Sequence, residues 1–212
     1  MTEPLVAQPI GSFLDALASR AATPGGGSAA GLSGAMAAGL ISMVCALTMG
    51  KKQYAAIEEE VQAIHTRAEA LRHELQRLAE QDILVFNRLT AVYKLPRTTE
   101  ADAATRQTAI QAATRQAAEV PMRTAEVAAA LMPLCTALAP KVGRLIVSDI
   151  GVAAILARAT VQSAILNIEI NLAALEDQIY VRTTRARVGD LVIGLAEEAE
   201  GVLKIVRGRI NQ

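Results

Sequence analysis

One carboxylate interrupts an otherwise apolar stripe. Between Gln53 and Tyr93, apolar residues recur at Ile57, Val61, Ile64, Ala68, Leu71, Leu75, Leu78, Val85, Leu89 and Val92, alternately four and three apart, and Asp82 fills the slot between Leu78 and Val85. That alternation is the seam of a long packed helix. A carboxyl group in such a seam is costly to ionise, so its pKa rises and it can hold and deliver a proton near neutral pH. A buried ion pair or a hydrogen-bonded core acid accounts for the same position equally well.

Two further groups have types and spacings that suit a ligand. Thr23-Pro24-Gly25-Gly26-Gly27-Ser28 is a glycine loop opening a helix. Free N–H groups there attract anions and polar oxygens, and glycine lets a ligand approach the backbone. The spacing matches neither a P-loop nor a dinucleotide fingerprint, and a tight turn between close-packed helices explains it too. Thr160, Ser163, Asn167 and Asn171 form a polar row at spacings of three, four and four, among Val161, Ile165, Leu166, Ile168, Ile170 and Leu172. Amides in such apolar surroundings must find hydrogen bonds, either across helices or to a flat, heteroatom-rich ligand.

The elements that carry these residues read as helices throughout. Hydrophobic residues make up 52% of the 212 positions and aromatic residues 2%, and strand signals are weak, Leu145–Val147 being the only short candidate. A first short helix is expected from a Ser12-x-x-Asp15 capping box to about Ala22, then helices over about 28–49, 53–93, 99–119 and 121–139, with Pro133 a kink in the last of these. Ser148-Asp149 is expected to cap a sixth helix running to about Leu175, and a final helix covers about 177–209. Small residues at Ala30, Gly34, Ala38, Ser42 and Ala46, with Gly27, Gly31, Ala35 and Gly39 alongside, allow close backbone approach on the second helix. No linker or repeat divides the chain, so residues 1–212 read as one domain.

Bulk properties narrow the functions. With 21 basic and 21 acidic residues there is no positive excess to neutralise a phosphate backbone, which argues against nucleic acid. His65 and His73 lack nearby cysteines, so no metal site is expected. Cys45 and Cys135 sit in apolar sequence and read as reduced, buried residues of a cytoplasmic protein. Signal-peptide features are absent at the start of the sequence. The uncharged stretch from Ala21 to Gly50 is long enough to span a bilayer, but its Ser, Gly and Pro content favours a helix buried inside a bundle.

Several motifs, in order, resemble one family. They are TPGGGSAA at Thr23, SMVCALTMGKKQY at Ser42, Asp82 with Phe86, AVYKLPR at Ala91, VPMRTAE at Val120, SDIGVAA at Ser148 and NIEINL at Asn167. The set is similar to the cyclodeaminase/cyclohydrolase family, found as the C-terminal domain of formiminotransferase-cyclodeaminase and as free-standing methenyltetrahydrofolate cyclohydrolases. It covers the chain from about Phe13 to Gln178. The resemblance implies an all-α, up-and-down bundle that dimerises through long helices, a tetrahydrofolate site, and an acidic residue at Asp82. It makes Pro24, Gly25, Gly26, Gly27, Ser28, Asn167 and Asn171 candidates for substrate contact. Lys51, Lys52 and Lys94 are candidates for folate oxygens or the glutamate tail, Lys51 and Lys52 also reading as solvated helix-end charges. Asp149 is a candidate of the same kind and also reads as a helix cap.

Two positions depart from the family's pattern: Ala46, where Asn is frequent, and Val142-Gly143, where Gly-Asn is frequent. The implied reactions work on the carbon bridging nitrogens 5 and 10 of tetrahydrofolate and call for no cofactor beyond that substrate. A cyclohydrolase is the favoured expectation, because the chain carries no transferase domain and its SMVCALTMGKKQY segment is nearest that group. Formiminotetrahydrofolate cyclodeaminase is the alternative, and a non-catalytic helical interaction protein a further one.

Overall fold

The computed structural model describes residues 4–211. Its helices are α1 (Ile10–Leu17), α2 (Gly26–Thr48), α3 (Glu58–Val92), α4 (Glu100–Ala129), α5 (Met132–Leu138), α6 (Val147–Ala173), α7 (Gln178–Val192) and α8 (Leu195–Ile210). Single 3-10 turns lie at Leu5–Ala7 and Lys52–Ile57, and there is no strand among the described residues. The long helices α2, α3, α4 and α6 form the bundle. α2 packs on α3 and α6, α4 closes the far side against the same two, and α5 and α8 cover α6.

The small residues of α2 allow this arrangement. A Cβ placed on Gly31 would lie 2.9 Å from the Cβ and 3.1 Å from the Cα of Ala79, so α2 and α3 touch nearly backbone to backbone. Gly26 lies beside Asn167 and Gly34 beside Thr160, so α2 and α6 run antiparallel. The seam of α3 is buried at Val61, Ile64, Ala68, Leu71, Leu75 and Leu78. Beyond Asp82 the same stripe, at Val85, Leu89 and Val92, is only half-buried. The seam therefore stops being core at the carboxylate and becomes the wall of a hollow.

Several helix limits differ from the sequence expectation, each for a local reason. α1 starts at Ile10 behind Pro9, so Ser12 lies inside it and does not cap it, and it ends at Leu17. Residues 52–57 form a tighter turn before three glutamates, Glu58, Glu59 and Glu60, open α3 with charges that favour a helix start. α6 begins at Val147 without a side-chain cap, which places Ser148 and Asp149 in its first turn and abolishes the short strand considered at Leu145–Val147. The expected final helix is two, broken at Gly194, whose φ is +74°. The Thr99–Asp102 capping box forms at the start of α4, and Asp177, where the last helix was expected to begin, caps α7 by accepting from the N–H groups of Ile179 and Tyr180.

α4 also runs straight through Pro121, where a break was expected. Proline has no N–H to offer the carbonyl four residues back, which here belongs to Ala117. The side-chain amide of Asn171 on α6 donates to that carbonyl at 3.1 Å. The bond is supplied from the neighbouring helix, so the helix continues.

Cys45 and Cys135 are free and buried, and burial pushes both thiols up to about 12. α2 and α6 are each long and apolar enough to cross a membrane, and each is about half covered by its neighbours. The uncovered side of α2 presents Met36, Met43 and Leu47, and that of α6 presents Val152, Ile155 and Leu166.

Candidate active site

A cavity of about 370 Å³ lies between α3, α4 and α6. Its polar lining is Asp82, Thr114, Asn167 and Asn171, and its apolar walls include Phe86, Leu89, Tyr93 and Ile170. A hollow of this volume with a few convergent polar groups suits a small organic ligand.

Asp82 is held there by the first turn of α2. The fully buried Ser28 hydroxyl donates to its Oδ2 at 3.0 Å. A Cβ on Gly27 would fall 2.0 Å from its Oδ1 and 2.4 Å from its Cγ, so the carboxyl occupies the space where any other residue's side chain would begin. The glycine of the loop thus makes room for an acid of the protein itself. Burial pushes the Asp82 carboxyl above the usual carboxylate range; the Ser28 hydroxyl and backbone N–H pull it down without cancelling the rise. No ion pair reaches Asp82 among the described residues. The outcome is a partly desolvated acid without a cation, facing a hollow.

Ser28→Ala removes one of the two groups that favour the ionised form. The acid limb of the activity profile, which reports the protonation of this carboxylate, is expected to move to higher pH. Stability is expected to fall by about 1 kcal/mol for the lost hydrogen bond. A pH series of kcat/KM on the variant, beside a thermal melt, checks both; an acid limb that stays put or moves down would separate Ser28 from the titration.

The two asparagines are fixed in orientation. Asn167 Nδ2 donates to the Ser163 carbonyl at 2.8 Å, and Asn171 Nδ2 donates to the carbonyls of Asn167 at 2.7 Å and Ala117 at 3.1 Å. Carbonyls accept only, so each nitrogen must face them and each Oδ1 is left over as an acceptor. Neither oxygen has a protein donor among the described residues. The row expected as either an interhelical network or a ligand surface therefore has both N–H groups of Asn171 and one of Asn167 committed, and both amide oxygens available.

Of the remaining candidates, Pro24 and Gly25 precede α2, Gly25 being its extended N-cap, and Gly26 lies against Asn167. Lys94 is exposed just beyond Tyr93, at the end of α3 nearest the cavity. Lys51, Lys52 and Asp149 are elsewhere. The first two follow the C-terminus of α2 and the third lies in the first turn of α6, at the bundle end opposite Gly26 and Asn167. A 23-residue helix separates the two ends, about 34 Å at 1.5 Å per residue. Within one chain these three do not meet the cavity. Conversely, Thr114 and Tyr93 line it and were not singled out by sequence; Thr114 reads as one more polar residue of an Ala-rich helix, and nothing local marks it.

The family described as formiminotransferase-cyclodeaminase matches residues 9–190. The chain belongs to that family. Among its relatives, the methenyltetrahydrofolate cyclohydrolase of Methylorubrum extorquens is 36% identical over 95% of this chain and 97% of its own length. The formimidoyltransferase-cyclodeaminase of Sus scrofa is 32% identical over 97% of this chain, which spans 38% of that longer protein. A crystal structure of formiminotetrahydrofolate cyclodeaminase from Thermotoga maritima superposes with a TM-score of 0.79, covering 98% of each chain at 29% identity. The all-helical family fold thus accounts for the whole bundle.

Proposed function

We propose that this protein is a methenyltetrahydrofolate cyclohydrolase, with Asp82 as its acid–base group. The observation that carries the reading is the uncompensated carboxyl in a pterin-sized cavity. The relative that matches this chain over nearly its full length, from Methylorubrum extorquens, carries that name, and its coverage favours the hydrolytic reaction. The methenyl substrate is a cation delocalised over nitrogen 5, the bridging carbon and nitrogen 10. An unpaired carboxylate attracts it and lowers the energy of approach. Water adds its oxygen to the carbon while Asp82 takes a proton from it. The bond from carbon to nitrogen 5 then breaks, its electron pair leaving with that nitrogen, which receives the proton from Asp82. The remaining hydroxyl loses its proton as the carbonyl forms, giving 10-formyltetrahydrofolate and one proton released overall.

The same residue suits the cyclodeaminase reaction, in which nitrogen 10 attacks the formimino carbon and Asp82 protonates the departing ammonia. The Thermotoga maritima neighbour's name supports that second reading. The chemistry in both cases needs only the folate substrate. The exposed apolar residues of α2 and α6 support a homodimer, since long helices with uncovered apolar residues lose unfavourable water contact by pairing with a second copy. The two buried thiols and the balanced charge suit a cytoplasmic setting.

A paired assay with the purified protein tests the function. Loss of methenyltetrahydrofolate absorbance well above the spontaneous rate, without ammonia release from 5-formiminotetrahydrofolate, is the expected result. Ammonia release alone would transfer the assignment to the cyclodeaminase. Neither reaction, together with no thermal stabilisation by tetrahydrofolate, would leave a non-catalytic helical protein.

A further inference from the structure

Thr114 is 1% exposed, lines the cavity from α4, and its hydroxyl has no hydrogen-bond partner. The Ser42 hydroxyl on α2 is also without a partner, but it does not line the cavity. The buried helical threonines Thr48, Thr124 and Thr160 each donate to the carbonyl four residues back, the ordinary resting place of such a hydroxyl. Thr114 makes no bond to the corresponding carbonyl, that of Ile110. A buried hydroxyl left unpaired destabilises the folded protein unless something else bonds it.

Its surroundings say what that partner would be. Asn171 is tied to Ala117, one turn along α4 from Thr114, and with both its N–H groups spent it offers only its amide oxygen, whereas Asn167 offers its amide oxygen and the one N–H that does not reach Ser163. The α4–α6 wall thus presents two amide oxygens that accept, and the Thr114 hydroxyl and one Asn167 N–H that can donate. An aminopyrimidinone ring edge, with its exocyclic amine and ring N–H beside a carbonyl, offers two donors and one acceptor. We infer that Thr114 is a substrate-binding residue whose hydroxyl donates to the ring carbonyl while the oxygens of Asn167 and Asn171 accept from the two N–H groups. This rests on the folate reading above and assigns it a recognition surface separate from Asp82.

Thr114→Val keeps the shape and removes the hydroxyl. The expected result with 5,10-methenyltetrahydrofolate is a KM raised about tenfold, the worth of one good hydrogen bond, with kcat within about twofold. Thermal melts supply an independent sign. Without ligand the variant melts at the wild-type temperature or above it, because an unpaired buried hydroxyl has gone, yet tetrahydrofolate stabilises it less than wild type. Thr114→Ser restores the KM. An unchanged KM and an unchanged tetrahydrofolate shift would overturn the inference while leaving the cyclohydrolase reading standing. So would a lower ligand-free melting temperature with kcat and KM falling together, which marks a packing role. A wild-type protein that neither turns over nor is stabilised by any tetrahydrofolate derivative would overturn both.

Discussion

Asp82→Asn is expected to lower turnover by at least about a hundredfold, the usual contribution of a positioned acid–base group, with helical content unchanged. Asparagine has the same shape, and its amide oxygen can still accept from Ser28 at the site of the 3.0 Å bond. It can neither take nor return a proton. The stability change has a definite sign. The folded-state pKa of Asp82 is raised, so the folded protein holds the proton more tightly than the unfolded chain. Stability from this group is fully present below the unfolded value and is lost as pH rises through the folded one. At neutral pH the neutral asparagine is therefore no worse than the carboxylate it replaces. The variant should melt at or above the wild-type temperature while being nearly inactive, as steady-state rates, circular dichroism and a melt at pH 7 would show. Near-normal turnover in the folded variant would end the assignment.

Gly27→Ala should damage both the site and the fold. The added methyl would sit 2.0 Å from Asp82 Oδ1 and 2.8 Å from Oδ2, well inside contact distance, so either the carboxyl swings out or α2 and α3 separate. Overfilling of this kind costs about 1–3 kcal/mol, which for a chain of this size is a fall of roughly 2–12 °C in Tm. Helix propensity acts in the other direction, since alanine is better than glycine inside a helix by about 1 kcal/mol. A fall in Tm therefore reports the clash. Turnover should drop at least about tenfold, because the acid is displaced from its place relative to the substrate carbon. Gly26→Ala is the control: its methyl would meet Asn167 Oδ1 at 3.5 Å, an ordinary contact, and Tm should be unchanged or higher. Equal melting temperatures for wild type and Gly27→Ala would mean that the glycine does not set the position of the carboxyl.

Much of this was legible along the chain because it depends on short-range order. The alternating stripe marked α3 and singled out Asp82; the glycine run marked a helix start; the Asn167–Asn171 spacing put both amides on one side of α6. What failed was also local in origin. Pro121 signalled a break because its missing N–H is a property of the residue, whereas the substitute donor, Asn171, lies fifty positions away. Thr114 carried no signal, since its distinction is a bond it does not make. Lys51, Lys52 and Asp149 had suitable chemistry, but a helix carries its two ends far apart, and within one chain they stand at the end away from the cavity.

By itself the sequence determined the helical class, the family pattern and the one acid out of place in an apolar seam, because periodicity and composition are written residue by residue. Only the tertiary structure decided that Gly27 gives up its side-chain space to that acid, that the amide oxygens and Thr114 share one wall, and which charged candidates lie apart. Those facts depend on distances between helices remote in the chain, set by how closely the small faces of α2 let α3 and α6 approach.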